Sequence, residues 1–363
     1  MTDTEEVAEV ADVADVAEVT ESAGIEEQDD LSLVKRMQDG RDQIVGEIQK
    51  IIIGQEDIID ELLIALFAGG HCLVTGVPGL AKTLLIKTVA DILQVDFSRI
   101  QFTPDLLPAD ILGMTTLANA FAAMSGSKTK SKGEEIIKGP IFSNFVLADE
   151  INRASPKVQS ALLEAMQEHQ VTIGKKTYPL SKPFLVFATQ NPIEESGTYE
   201  LPAAQMDRFL FKTKVDYPDI ASEELILDAN VTTKEFSELS IKSVIDAAKI
   251  LEIQSFVKEI QVSVAIKKYI VKLIDATRYP KKYDLELSRY ISFGSSPRGS
   301  IGLYIAAKAN ALLNGQGFVL PQHVKDVAYD VLRHRIKINY EGVAEKITSD
   351  DVIKEILAKV PLP

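Results

Sequence analysis

One cysteine, Cys72, stands among 363 residues, so no internal disulfide can form. It lies in an apolar, strand-like run, and this usage fits a reducing compartment, the cytoplasm. No apolar run approaches the ~20 residues needed to cross a bilayer, so membrane insertion is not expected. The opening MTDTEEVAEV lacks a basic n-region and an apolar core, and no export signal is read from it. Positive charge is also short. Lys and Arg number 39 against 53 Asp and Glu, for a formal charge of -14. The shortfall is local: residues 1–30 carry twelve acidic residues and no Lys or Arg, which leaves about -2 for the rest. The folded body is therefore near neutral. It has no basic stripe that would make nucleic acid the expected partner.

What remains is the balance of a globular protein, with 46% hydrophobic and 25% charged residues. The length suits two domains plus a tail. Residues 1–30 repeat an acidic–apolar unit, EVAEVADVADVAEV, and run into EEQDD. Like charges crowd it and no cap is visible, which predicts a disordered tail. Helical spacing begins after Leu31, with Leu33, Val34 and Met37 followed by Ile44, Val45 and Ile48. From about Ile51 to Val215 two kinds of segment alternate. HCLVTG, RIQF, NFVLADE, KPFLVFATQN and RFLFKTKV are short and rich in β-branched and aromatic residues; AKTLLIKTVADIL and SPKVQSALLEAMQEH have helical spacing. Strands that are apolar on successive positions belong to a parallel sheet covered on both faces, so residues 31–215 are predicted to form an α/β domain. After DYPD (216–219) the strand signal fades. Residues 243–258, 262–278, 298–313 and 321–335 read as helices, the last with Val324, Val327, Ala328, Val331 and Leu332 on one stripe. This predicts a smaller all-helical domain over 220–363, with a hinge at Tyr217–Asp219.

The strongest chemical signal is Gly76-Val77-Pro78-Gly79-Leu80-Ala81-Lys82-Thr83, which follows a strand and opens a helix through Leu84. A loop that wraps phosphates must turn its backbone N–H groups inward, and glycines allow this while the helix N-terminus adds positive potential. In such a loop Lys82 reaches the β- and γ-phosphates and the Thr83 hydroxyl can ligate Mg²⁺. Ala81 departs from the usual pattern, standing where a glycine is expected. The alternative, an ordinary strand–turn–helix with a surface lysine, does not need the glycines. About 70 residues on, Phe145–Glu150 is an apolar strand ending in two carboxylates. Asp149 is suited to hold Mg²⁺ beside Thr83, and Glu150 to polarise the attacking water. The next strand ends at Asn191, suited either to orient that water or to cap the turn before Pro192. Arg208, after Asp207, could supply positive charge to a leaving phosphate from a neighbouring subunit, or simply pair with Asp207. Arg298, in Gly294-Ser-Ser-Pro-Arg298-Gly, opens a helix of the second domain. It could swing onto the phosphates when the domains close, or lie on the helix surface.

Eight segments in order carry a resemblance: IIIGQE (51–56), GVPGLAKT (76–83), IQFTPDLLPADILG (100–113), KGPIF (138–142), LADEINRASPKVQSALLEAMQEHQVTI (147–173), FATQNPIE (187–194), LPAAQMDRF (201–209) and GSSPRG (294–299). With them the chain after residue 31 resembles the MoxR branch of the AAA+ ATPases. The resemblance implies an α/β nucleotide domain, a helical lid and assembly into a ring, usually hexameric. It implies Lys82 and Thr83 as Walker A, Asp149 and Glu150 as Walker B, Asn191 as sensor 1, Arg208 as an arginine finger in trans and Arg298 as sensor 2. Ile53, Gly54 and Gln55 fall where such proteins cradle adenine. The segment Gly139–Phe142 and the stretch His169–Leu180 look like the clade's hairpin inserts. The chain departs from the pattern at Ala203, where relatives often carry an acid, and in the loose polar insertion AAMSGSKTKSKGEE (122–135).

The function so implied is Mg²⁺-dependent ATP hydrolysis that remodels or matures a client protein complex, with a von Willebrand A domain protein as partner. A magnesium-chelatase-like ATPase subunit is the nearer alternative. A DNA motor would need basic ring loops, and SKTKSK (127–132) is the one short candidate.

Overall fold

The computed structural model describes residues 38–77, 79–115, 136–191, 198–231 and 242–363. The acidic tail, Leu33–Met37, Pro78 and the polar insertion at 122–135 lie outside the described residues. In chain order the first domain holds β1 (Cys72–Gly76), β2 (Phe97–Gln101), the short pair β3 (Gly113–Thr115) and β4 (Ile136–Lys138), and β5 (Phe145–Asp149). There follow the hairpin β6 (Gln170–Ile173) and β7 (Lys176–Pro179), then β8 (Leu185–Gln190) and β9 (Phe211–Val215). Five of these form one parallel sheet in the order β2-β5-β8-β1-β9. They are the five strands the sequence pattern predicts.

Alternation along each strand divides the interior in two. Cys72, Val74, Phe145, Leu147, Leu185, Phe187 and Phe211 point to one face, against helices Glu56–Ala68 and Lys82–Ile92. Leu73, Val146, Ala148, Val186 and Ala188 point to the other, against helix Pro156–Glu168. Central strands buried on both faces must be apolar at every position, and Phe145–Asp149 is buried throughout. The edge strand β2 can afford Ser98, Arg99 and Gln101.

The C-terminal region is mainly helical, but not all-helical as predicted: the short strands Ile291–Phe293 and Lys337–Ile338 pair antiparallel within it. Helices Ala247–Glu259, Val264–Arg278 and Pro297–Leu313 begin on capping oxygens of Asp246, Ser263 and Ser296. Leu303, Ala306, Ala307, Val331 and Leu332 of this lid join the same core as the first face of the sheet. Helix Glu56–Ala68 lies between the two and contributes Ile59, Leu62, Leu63 and Leu66.

Two local expectations are corrected. The helix read over 321–335 is two short ones, Pro321–Asp326 and Ala328–Leu332. Buried Asn310 donates its side-chain amide to the His323 carbonyl at 3.3 Å, which is the acceptor the Val327 N–H would use in a continuous helix. Gly139–Phe142 is not a hairpin but a 3₁₀ turn, Pro140–Phe142; just before it β4 pairs antiparallel with β3. Pro140 removes a strand donor. A Cβ on Gly139 would lie 2.1 Å from the Ile111 carbonyl, so the chain must pass there as glycine. The stretch His169–Leu180 does contain an antiparallel hairpin, β6 with β7.

Candidate active site

Parallel strands leave their C-terminal ends as a shelf on which following loops converge. β1 ends at Gly76, β5 at Asp149 and β8 at Gln190, all on one edge of the sheet. A Cβ on Gly76 would meet the Val215 carbonyl of β9 at 2.5 Å, so the loop leaves the sheet through a gap only glycine fits. Gly79 has φ 87° with open space around it, and Ala81 takes the left-handed conformation, φ 53° and ψ 22°, at the start of helix Lys82–Ile92. The Lys82 ammonium donates to the Gly76 carbonyl at 2.5 Å. Burial pulls its pKa down while Asp149 and Glu150 push it up. Gln55 braces the loop from outside, its amide 3.4 Å from the Leu80 carbonyl, while its Oε1 is buried without a partner. Gly54, at φ 73°, packs against Ser222.

Across β8 from this loop lie the acids. Thr83 Oγ1 donates to Asp149 Oδ2 at 3.3 Å. Thr189, at the end of β8, donates to Asp149 Oδ1 at 2.6 Å and accepts from the Glu150 backbone N–H at 2.8 Å. Arg99 of β2 pairs with Asp149 Oδ2 at 2.6 Å. Glu150 is left-handed, φ 58°, and its Oε2 accepts from Gln101 at 2.8 Å and from Arg153 at 2.9 Å. Asn191 is buried one residue beyond β8. It borders a cavity of about 990 Å³ reached by Gly76, Val77 and Lys212 from the core and by Arg333 and Asp350 from the lid.

The structure thus brings Lys82, Thr83, Asp149, Glu150 and Asn191 to one edge of the sheet. Arg208 and Arg298 lie at the other. Arg298 reaches Asp207, before the start of β9, with its Nη1 3.6 Å from Asp207 Oδ2, while Arg208, next in the chain, donates its Nη1 to the Leu163 carbonyl at 2.7 Å. Since β9 runs parallel to β1, this edge is a five-residue strand, about 16 Å, from the chain's own Gly76. Arg298 is therefore not poised over its own chain's loop, and Arg208 is not held by its neighbour Asp207, whose partners are in the lid. The sequence reading missed Arg99, Gln101, Arg153 and Thr189. The alternation of Arg99 and Gln101 around Ile100 was their one visible signal.

A glycine-bearing loop, an ammonium, and a hydroxyl beside a carboxylate are the groups a phosphate and its metal ion require. Comparison with known proteins agrees. Residues 71–211 match the ATPase family associated with various cellular activities (AAA), and residues 285–356 match the AAA lid domain. The chain is 42% identical to "Chaperone MoxR1" of Mycobacterium tuberculosis over 89% of this chain and 82% of that protein. It is 32% identical to "Protein MoxR" of Methylorubrum extorquens over 87% and 93%. A crystal structure of a candidate ATPase from Cytophaga hutchinsonii superposes with a TM-score of 0.83 at 44% identity, covering 94% of this chain and 99% of that one. With this fold, this loop and these relatives, the chain belongs to the MoxR family of AAA ATPases, and it is an ATP-hydrolysing enzyme.

Proposed function

We propose that this ATPase binds Mg-ATP on Gly76–Leu84 and hydrolyses it within a homo-oligomeric ring, a hexamer, whose motion remodels or matures a client protein complex. The observation that carries the reading is the 3.3 Å approach of the Thr83 hydroxyl to the Asp149 carboxylate, with Glu150 next in the chain. A hydroxyl and a carboxylate oxygen are the hard donors Mg²⁺ takes, so the donor set fits the ion. The orphaned Oε1 of Gln55 beside Leu80 fits a base that brings an amino donor, as adenine does. Bound Mg-ATP would supply the scissile anhydride and a Lewis acid for its phosphoryl oxygens.

The chain's own groups then divide the work. Lys82 exchanges the Gly76 carbonyl for phosphate oxygens, and the amides at the start of helix Lys82–Ile92 donate to them. Asp149 and Thr83 would hold the metal, with Ile53, Gly54 and Gln55 against the base. Glu150, steadied by Gln101 and Arg153, polarises the lytic water, and Asn191 orients it. Arg208 and Arg298 act on the phosphate of a neighbouring subunit; their position one strand length from their own loop supports a role in trans. The remodelling activity is supported by the Mycobacterium relative, which is named a chaperone. A von Willebrand A domain partner and work in the cytoplasm are what the family resemblance and the single cysteine favour.

Glu150→Gln should retain ATP affinity while turnover falls by roughly 10²–10⁴-fold, the usual contribution of a general base. Equilibrium binding of ATP alongside phosphate release would measure both. Wild-type turnover in the variant would remove Glu150 from the chemistry.

A further inference from the structure

Residues 207–210 sit at the seam between the sheet and the lid, and the lid grips them with unusual completeness. Arg335 is buried, and its guanidinium gives four of its five N–H groups to this seam. Nε donates to Asp207 Oδ1 at 2.9 Å. Nη2 donates to the Phe209 carbonyl at 2.7 Å and the Asp207 carbonyl at 3.2 Å. Nη1 donates to the Leu210 carbonyl at 3.0 Å and to that of Val331. Next to it, His334 Nε2 lies 3.1 Å from the Phe209 carbonyl. From the other side of the lid, Ser296 donates to Asp207 Oδ2 at 2.8 Å and Arg298 approaches the same oxygen.

We infer that Arg335 and Asp207 are positioning residues: they lock the Arg208 backbone to the lid that carries Arg298, so that lid orientation sets the aim of both arginines at the neighbouring subunit. The inference rests on the trans role of Arg208 proposed above. Arg208 is bracketed by held residues, its backbone tied to the lid through Asp207 and Phe209 while its side chain rests on Leu163 of the core. Any lid displacement must carry the 207–210 backbone with it or break several bonds at once. Stability alone is a poor reason for such a cluster, since a buried ion pair gains little over packed apolar residues. What the forked guanidinium adds is directional fixing of several carbonyls, which an ammonium cannot reproduce. Burial pushes the Arg335 pKa down to about 10, still well above neutrality, so the lock stays charged.

The test uses the full chain as Arg335→Lys, which keeps the charge and loses the fork, with Asp207→Asn as a second variant should the first fail to assemble. Each should lower kcat about 100-fold, the scale of a one-ångström misplacement, with KM and ATP affinity unchanged. Mixing with Glu150→Gln subunits, which have an inert site but intact arginines, should raise turnover above the sum of the two variants alone. Arg208→Ala mixed with Glu150→Gln serves as the reference. Wild-type kcat in both variants would overturn the inference, as would loss that the mixture fails to restore while the Arg208→Ala mixture recovers. If the reference mixture does not recover, the trans reading itself falls, and this inference with it.

Discussion

Ala81 is where the phosphate loop carries backbone strain. A left-handed conformation costs an L-residue about 1–2 kcal/mol, and Ala81 holds φ 53° at the turn into helix Lys82–Ile92. Glycine would take this conformation freely, at the expense of more chain entropy in the unfolded state. Ala81→Gly should therefore stabilise the protein by on the order of 0.5–1 kcal/mol in urea unfolding; a lowered midpoint would mean that the alanine methyl packs well enough to outweigh its strain. The residues around this loop differ in how legible they are. Lys82, Thr83, Asp149 and Glu150 can be read from the chain because each falls inside a short motif, the first two at a helix start and the last two at a strand end. Arg99, Gln101 and Thr189 cannot, because their partners depend on β2, β5 and β8 being neighbours in that order, whereas Arg153 reaches Glu150 from three residues on through the turn Ile151–Arg153. Strand order is a tertiary fact, and no local spacing encodes it.

Helix Glu56–Ala68 couples sheet and lid through a buried acid. Glu61 is largely buried, its Oε2 has no hydrogen-bond partner, and desolvation first and the nearby Asp330 second raise its pKa from 4.5 to about 8. Asp330, on lid helix Ala328–Leu332, pairs with Arg333 at 2.7 Å, and Arg333 in turn donates to the Lys212 carbonyl of β9 at 2.5 Å. Burial raises the Asp330 pKa as well, but its ion pair with Arg333 opposes that rise, which favours the proton on Glu61. The sign follows from proton counts: between pH 4.5 and about 8 the folded chain holds this proton and the unfolded chain has lost it, so stability falls as pH rises. The slope is at most about 1.4 kcal/mol per pH unit. Glu61→Gln should flatten that decline in unfolding midpoints measured across this range; an unchanged slope would place the titration elsewhere. Elements were more legible than these joints. Apolar runs and helical spacing locate the five sheet strands and the lid helices. The break at Val327 needs Asn310 from another helix, and the turn at Pro140 needs close passage of Gly139 against Ile111, neither of which a one-dimensional pattern contains.

On the scale of the whole molecule, the two groups of candidate site residues in one chain lie at opposite edges of the sheet. The loop, Asp149 and Glu150 occupy the C-terminal edge of the sheet, and Arg208 the N-terminal edge with Arg298 beside it, so Arg208 cannot reach its own chain's loop without unpacking β9. A head-to-tail contact places one edge against the other, and repetition of that contact by a constant rotation closes a ring. Light scattering on sized material should then show a shift toward hexamer mass with Mg-ATP, strongest in Glu150→Gln, where bound nucleotide persists. Turnover per chain should also fall on dilution below the assembly range, because a lone subunit lacks the donated arginine. A persistent monomer with undiminished turnover would leave the phosphate loop in place and remove both the ring and the shared arginines. The sheet edge that carries Arg208 would then need another purpose, and its tie to the lid through Arg335 would be a matter of packing alone.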